Sequence, residues 1–521
     1  MIALALVVIA LLVLYIYGTR NFDYWKKRGV AHDKPIPFFG NNARVLFAQK
    51  DLTGKAVETY WMYPKEKVVG SFIGSRPQLV IRDPEIIRQI LVTDFNHFYK
   101  RGLMRGKVIE PLFRNLFFAE GDTWRLLRQR MTPAFTSGKL KAMFPLIVER
   151  AEKLQNRVVA AATADCELDA RDLMARYTTD FIGACGFGLD SDSLSDENSA
   201  FRQLGSKIFK QTFSKLAKAL LKEIFPQYFE HLTFLGDIEN EMLSLIDEIQ
   251  RQRNYEPSQR NDFIDLMLQC KKQGKIVGTS IEKVNSDGKP EIVELELDEL
   301  LIAAQIFIFF AAGFETSSFA TSFTLHQLAF NPTVQKKVQD EIDTVLSRHN
   351  NKFSYEAINE MTYLNWTFKE GMRMLPSVGI IIRECVRPYT FKDLNLTIGE
   401  GVRIMIPTQA LQNDPQYFTK PDQFLPDRFD PEKFLQNNNY VYMPFGAGPR
   451  ACIGERLGLM QSLAGLAAIL SICSVEPGPT SRRLPEIDPR SRVIQNVKNG
   501  FPLLFRRRQL RGQTGLNIGT L

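Results

Sequence analysis

One cysteine in this chain stands where a metal-binding thiolate could be made. The run Pro444-Phe445-Gly446-Ala447-Gly448-Pro449-Arg450-Ala451-Cys452-Ile453-Gly454 leads straight into an apolar helical stretch. A thiol ligates a metal as its thiolate, and a free cysteine has a pKa of about 8.5. A cysteine just ahead of a helix N-terminus offsets that cost, because the positive end of the helix dipole stabilises an anion. Glycines at 446, 448 and 454 are expected to let backbone approach the sulfur and turn N–H groups toward it. Arg450 can grip a carboxylate on a cofactor with two parallel bonds. Phe445 offers a flat apolar shield for a ring. The bland alternative is a buried structural cysteine after a Gly/Pro turn. A chance match to F-x-x-G-x-R-x-C-x-G arises roughly once in several thousand random chains of this length, so the ligand reading prevails.

A second cluster lies upstream. Leu300 to Ala312 is apolar apart from Gln305, too short to span a bilayer, and reads as a buried central helix. Ala312-Gly313-Phe314-Glu315-Thr316-Ser317 follows in the same run. Glycine in mid-helix costs about 1 kcal/mol relative to alanine, and an acid beside a buried run is costly as well. Two costly choices side by side point to a site. The absent β-carbon of Gly313 is expected to leave room for a diatomic ligand. Thr316 can bond back to a carbonyl or donate to that ligand, and Glu315 can relay protons from water. Glu370 and Arg373 can pair on one helix face, as can Trp124 and Arg128, four apart, toward one anion. Alone, such pairs are usually surface contacts.

Taken together and in this order, these elements resemble those of the cytochrome P-450 superfamily. The resemblance runs from the proline hinge to Phe505 and is most like insect microsomal enzymes that metabolise foreign compounds. It implies a mainly α fold with a small β region, and haem b between the central helix and the cysteine helix. Cys452 would be the axial ligand, with Phe445 and Gly454 completing its loop. Trp124, Arg128, Arg383 and Arg450 match the residues that hold the haem propionates. Glu315 and Thr316 match the acid–alcohol pair. Phe424-Leu425-Pro426-Asp427-Arg428-Phe429 resembles the P-E-R-F element with Asp427 in place of Glu. Arg428 would then lock Glu370 and Arg373 into a structural triad. Phe307, Ala311, Ala312, Val378 and Phe501 match substrate-contacting segments.

The activity implied is monooxygenation: one oxygen atom enters an apolar substrate and the other leaves as water. Electrons would come from NADPH through a membrane-bound flavoprotein reductase, with cytochrome b5 as a second donor. The reductase would dock on basic residues such as Arg125, Arg130 and Lys139. Two other classes remain open at this point. A haem-thiolate isomerase or dehydratase of peroxides needs no reductase and no acid–alcohol pair. A haem carrier or sensor needs no turnover at all.

Composition frames these readings. The chain has 521 residues, 45% hydrophobic and 24% charged, enough for a large core. Its net charge of +8 is spread along the sequence, which disfavours a nucleic-acid partner. Six cysteines without a CxxC pair argue against a disulfide framework or a zinc site, and five scattered histidines against histidine-based metal chemistry.

Residues 1–17 carry no charge and would form a helix of about 25 Å, near the thickness of an endoplasmic reticulum bilayer. A cleaved signal peptide would place its basic residues first. Here Arg20, Lys26, Lys27 and Arg28 follow, which orients the body toward the cytosol. The expected organisation is a membrane anchor at 1–18, a basic and Pro-rich hinge at 19–40, a catalytic domain at 41–508 and a polar tail at 509–521.

Helical periodicity covers 122–131, 140–164, 168–183, 237–253, 298–328, 333–347, 363–374 and 455–473. A strand pair is expected within 66–82, and short strands near 379–387 and 402–406. Lysines interleaved with Leu and Phe over 207–229 read as one basic amphipathic helix, either in a membrane interface or with a solvated lysine face.

Overall fold

The computed structural model describes residues 1–104, 109–258, 260, 262–434 and 440–509. The polar tail lies outside these residues apart from Gln509. A helix over Glu299–Phe330 runs through the middle of the molecule. Asp298 caps it, its carboxylate accepting from the Leu301 N–H at 2.6 Å. Asn331-Pro332 ends it, since the residue before a proline is pushed out of helical geometry. Its apolar side chains face every direction, so the helix can be stable only inside the core, and most of it is buried. The helices Ala170–Ile182, Thr362–Met374 and Glu455–Ile472 pack around it.

The β structure is small and peripheral. Val68–Ile73 pairs antiparallel with Arg76–Ile81, which pairs parallel with Arg403–Ile406, which pairs antiparallel with Ile381–Glu384. The last pairing sets Arg383 opposite Ile404. A three-stranded sheet joins Cys473–Pro477, Pro502–Arg507 and Glu167–Asp169.

The structure adds helices the periodicity does not mark, Leu52–Met62 and Phe263–Lys272, and departs from it in two further regions. The 207–229 stretch forms three helices, Ala200–Phe209, Phe213–Ile224 and Pro226–Phe229, because Thr212 caps a new start and Pro226 forces another. Its lysines are not simply solvated. Lys215 and Lys218 donate to backbone carbonyls, and Lys222 is buried beneath the Phe234 ring. A hairpin of Ile276–Val284 and Pro290–Leu295 was not anticipated, although Asp287-Gly288 at its tip is a hairpin signal. The hairpin packs on the helix Gly121–Met131: Asp122 accepts from Ser280 Oγ and the Ile281 N–H, and Arg125 donates to Thr279 at 2.9 Å.

The N-terminal helix Ile2–Thr19 leaves its apolar side chains exposed through Ile16. Its end meets the body: Tyr17 stacks on Phe225 and donates to the Ile224 carbonyl at 3.1 Å.

Candidate active site

The cysteine loop is shaped by its own backbone. Cys452 N–H donates to the Phe445 carbonyl at 2.8 Å, and Ala451 N–H to Gly448 at 2.9 Å. Gly446 and Gly448 adopt φ of 75° and 72°. At Gly448 a β-carbon would lie 1.9 Å from the Leu91 carbonyl oxygen, so only glycine fits. The approach these two glycines permit is therefore within the loop and to Leu91, not to the sulfur. Gly454, the cap of the helix Glu455–Ile472, is the glycine whose N–H lies near enough to the Cys452 thiol to favour its ionised form. Burial pushes the Cys452 thiol up, and the Gly454 N–H and the guanidiniums of Arg128 and Arg101 pull it back down. The side chain is enclosed by protein yet open to space, as a thiol facing an internal cavity would be. Half-buried Phe445 packs at the edge of the main core.

Arginines surround this loop. Arg128 donates to the Ala451 carbonyl at 2.8 Å, and Arg450 lies over the Trp124 ring at 4.3 Å. Arg383 is buried on its strand and, among the described residues, donates only to the adjacent Ile382 carbonyl. Arg101, which the sequence did not single out, bridges to the Arg450 carbonyl at 3.4 Å and the Phe117 carbonyl at 2.6 Å. Burial and mutual repulsion push Arg450 down to about 8 and Arg383 to about 9; burial pushes Arg101 to about 10. A guanidinium keeps its proton, so these depressions measure the cost of packing cations together with Glu120 as the nearby carboxylate. Arg450 Nε and Nη1 and Arg383 Nε are buried with no hydrogen-bond partner among the described residues. The donor set calls for a doubly anionic group beside a thiolate. The propionate edge of a haem, with its iron on Cys452, fits that demand.

Across from the thiol, the central helix and the cysteine helix touch at Gly313, whose carbonyl accepts from Gln461 at 3.0 Å. Thr316 Oγ donates to the Ala312 carbonyl at 2.8 Å, and the Thr316 carbonyl accepts from Ser377 Oγ at 2.7 Å. Ser377 and Gln461 carried no sequence signal. Ala312 is exposed in a helix with buried flanks, so it faces the interior space, and Thr316 shares its side of the helix. Two expectations need correction. A β-carbon on Gly313 would lie 2.5 Å from Ile182, so the glycine admits a neighbouring helix, not a ligand. Glu315 forms a largely buried ion pair with Arg171, which also bonds Ser318. Glu315 is therefore tied to Arg171 and is not a free carboxylate facing water.

The supporting triad is compact. Glu370 accepts from Arg373 at 2.7 Å and 3.0 Å, from Arg428 at 3.2 Å and from the Leu425 N–H at 2.9 Å. Glu370 and Arg373 are fully buried, and Arg373 also donates to the Gln412 and Pro421 carbonyls. Asp427 lies outside it, bonded by Tyr363, so the departure from P-E-R-F leaves the triad untouched. Among the matched substrate positions, Phe307 and Ala311 are buried in the core and Val378 is half-buried beside Ser377. Phe501 packs against Phe319, Phe323 and His326, beyond Thr316 along the helix, and is a core residue rather than a cavity wall.

Comparison with known proteins agrees with this geometry. The Cytochrome P450 family matches residues 31–503. The chain is 36% identical to cytochrome P450 6B6 of Helicoverpa armigera, over 94% of this chain and 95% of that one. It is 36% identical to cytochrome P450 6B1 of Papilio polyxenes, over 96% and 98%. With cytochrome P450 6a2 of Drosophila melanogaster it shares 35% identity, over 94% and 97%. The convergence of loop, arginines and triad, together with these matches, shows that the chain belongs to the cytochrome P450 family of haem-thiolate monooxygenases.

Proposed function

We propose that this protein inserts one atom of O2 into apolar small molecules, foreign compounds among them, at the endoplasmic reticulum membrane. The observation that carries the reading is the set of buried guanidinium nitrogens on Arg450 and Arg383 that lack a partner among the described residues, in the arginine cluster around the Cys452 loop. When bound, haem supplies oxygen activation, which a thiolate ligand favours by pushing electron density toward O–O cleavage. The chain's own residues do the rest. Cys452 holds the metal, with the Gly454 N–H steadying the sulfur. Arg101, Arg383 and Arg450 hold the propionates, with Trp124 beneath Arg450 and Arg128 bracing the loop at Ala451. Ala312 and Thr316 line the reacting side, where the Thr316 hydroxyl can pass a proton once it leaves the Ala312 carbonyl. Glu370, Arg373 and Arg428 keep the cysteine side rigid.

Membrane attachment is supported by the exposed apolar helix Ile2–Thr19 and its contact with Phe225. The leucines of Phe213–Ile224 are only half-buried while its lysines turn toward the protein, a face suited to a lipid surface. The basic residues after the anchor orient the body to the cytosol. Electrons from NADPH would arrive through a flavoprotein reductase, with cytochrome b5 as an alternative donor. For docking, Arg125 and Arg130 are already engaged by Thr279 and Gln273, which leaves exposed Lys139 as the freer cation.

Purified holoprotein reduced under carbon monoxide should show the optical signature of axial thiolate. Product should then require NADPH and reductase together. Isomerisation or dehydration of an organic peroxide without either, with no product that depends on NADPH, would overturn the monooxygenase reading.

A further inference from the structure

We propose that Gln305 is a positioning residue that sets the shape of the substrate space by pinning one aromatic loop; this rests on the reading above. Gln305 is the lone polar side chain in the apolar stretch 300–312, and it is fully buried. Its Oε1 accepts from the Leu116 N–H at 2.8 Å. Its Nε2 donates to the Arg114 carbonyl at 3.3 Å and back to Leu301 at 3.0 Å. A buried amide is costly unless its donors and acceptor are used, and here the loop uses them.

The loop carries Phe113, Phe117 and Phe118, with Phe118 4.7 Å from the Phe113 ring and 5.0 Å from that of Phe117. Asn115, also fully buried, folds it on itself: Oδ1 accepts from the Phe117 and Phe118 N–H groups, and Nδ2 donates to the Leu112 carbonyl. On its other side the loop leans on the guanidinium cluster. Arg101 lies over the Phe117 ring at 4.4 Å, and Arg450 donates to the Ala119 carbonyl at 2.8 Å. The three phenylalanines, each partly buried, therefore stand between the central helix and the groups around Cys452. A molecule bound there meets them.

The start of the loop is held by something else. Glu110 accepts from the Phe234 and Leu235 N–H groups at 2.8 Å and 2.9 Å, and Glu239 accepts from the Leu112 N–H at 3.0 Å. This clasp ties the loop to the segment after the basic helix, on the side of the anchor. Gln305 thus separates fit from access: the clasp can loosen while the phenylalanines keep their places.

The test compares Gln305→Met, similar in size but without the amide, with Glu110→Gln. Imidazole and 4-phenylimidazole are the probes on the holoprotein, since both bind haem iron through a ring nitrogen and only the second carries a phenyl to the loop. Gln305→Met should lower the affinity for 4-phenylimidazole relative to imidazole by about tenfold, a change of 1.4 kcal/mol. Hydrogen exchange at residues 115–118 should rise about tenfold or more while the cysteine helix stays protected. Glu110→Gln should leave the affinity ratio at its parent value. An unchanged ratio with unchanged exchange in Gln305→Met overturns the proposal, as does faster exchange throughout the chain. If neither probe bound, the haem reading would fall, and exchange at 115–118 would still judge Gln305.

Discussion

The cysteine loop is held mainly by backbone over a few residues, with Cys452 bonded to Phe445 and Ala451 to Gly448. The loop around Leu116 is held by side chains far away in sequence: Gln305 reaches it across 189 positions and Glu239 across 127. Both loops border the same interior space. The first is a rigid cradle whose geometry follows from glycines and a helix start. The second is a wall whose shape depends on which distant residues happen to grip it. A cofactor that does not vary calls for the first construction, and apolar substrates that do vary are compatible with the second.

The largest effect that would break this contrast comes from Cys452→Ser. Serine fits the loop, so the fold should survive with Tm within a few degrees of the parent. The thiolate signature under carbon monoxide should vanish, and turnover should fall by about a thousandfold or more, given how much of the chemistry the ligand supplies. A variant that kept the signature would place the metal elsewhere.

Next is the triad. Arg373→Ala leaves Glu370 charged and fully buried, and removing one partner of such a pair costs about 3–5 kcal/mol. The expected outcome is a steep loss of folded protein, read by thermal melting. Arg428→Ala should cost about 1–2 kcal/mol, because Arg428 gives Glu370 one bond at 3.2 Å and the Lys420 carbonyl one at 2.7 Å while Arg373 remains. Equal losses would mean that Arg428 carries as much of the pairing as Arg373.

These cases show why the cradle was legible in sequence. Cys452, Arg450 and the glycines are spaced by the turn they make, and Glu370 and Arg373 by one helical turn, so local spacing encodes the contact. The central helix was legible for the same reason, since an apolar run with an Asp cap and a Pro stop is a local signal. Arg101 was not, because nothing near it in sequence reveals that it will face Arg450. Arg171 was missed likewise: its partner Glu315 lies 144 positions on. Gly313 was noticed for the right oddity and given the wrong cause, since only packing reveals Ile182. Matching Phe501 by position alone put a core residue on the cavity wall.

The guanidinium cluster offers a test in which stability and cofactor retention part company. Arg450→Met removes a repelling cation whose Nε and Nη1 are buried without partners among the described residues. The apoprotein should melt higher, by about 1–2 kcal/mol of added stability, as replacing buried charge by an apolar side chain often does. The holoprotein should lose haem about tenfold faster if Arg450 is one of the residues that would hold a propionate. Both are measured on one preparation, by melting and by haem transfer to an acceptor protein. A lower apoprotein Tm would mean that the cluster is already compensated within the chain.

The smallest effects on turnover separate Thr316 from Glu315, neighbours about 100° apart around the helix with different partners. Thr316→Ala should keep haem bound and divert electrons to peroxide, lowering product per NADPH about fivefold, within the usual range for one proton-transfer group. Arg171→Met acts on Glu315 instead. It frees Glu315 to move but leaves a carboxylate about one-tenth exposed beside Ser318 without its cation. Stability should fall by about 1–3 kcal/mol, while Arg171→Lys should recover most of it by keeping the charge. If Glu315 relays protons only when released, product per NADPH in Arg171→Met should equal or exceed the parent value despite the lower Tm. A relay that works through the intact pair predicts the reverse: yield lost with Arg171→Met and restored with Arg171→Lys. The two variants thus decide whether the ion pair is a brake on the acid or part of its path.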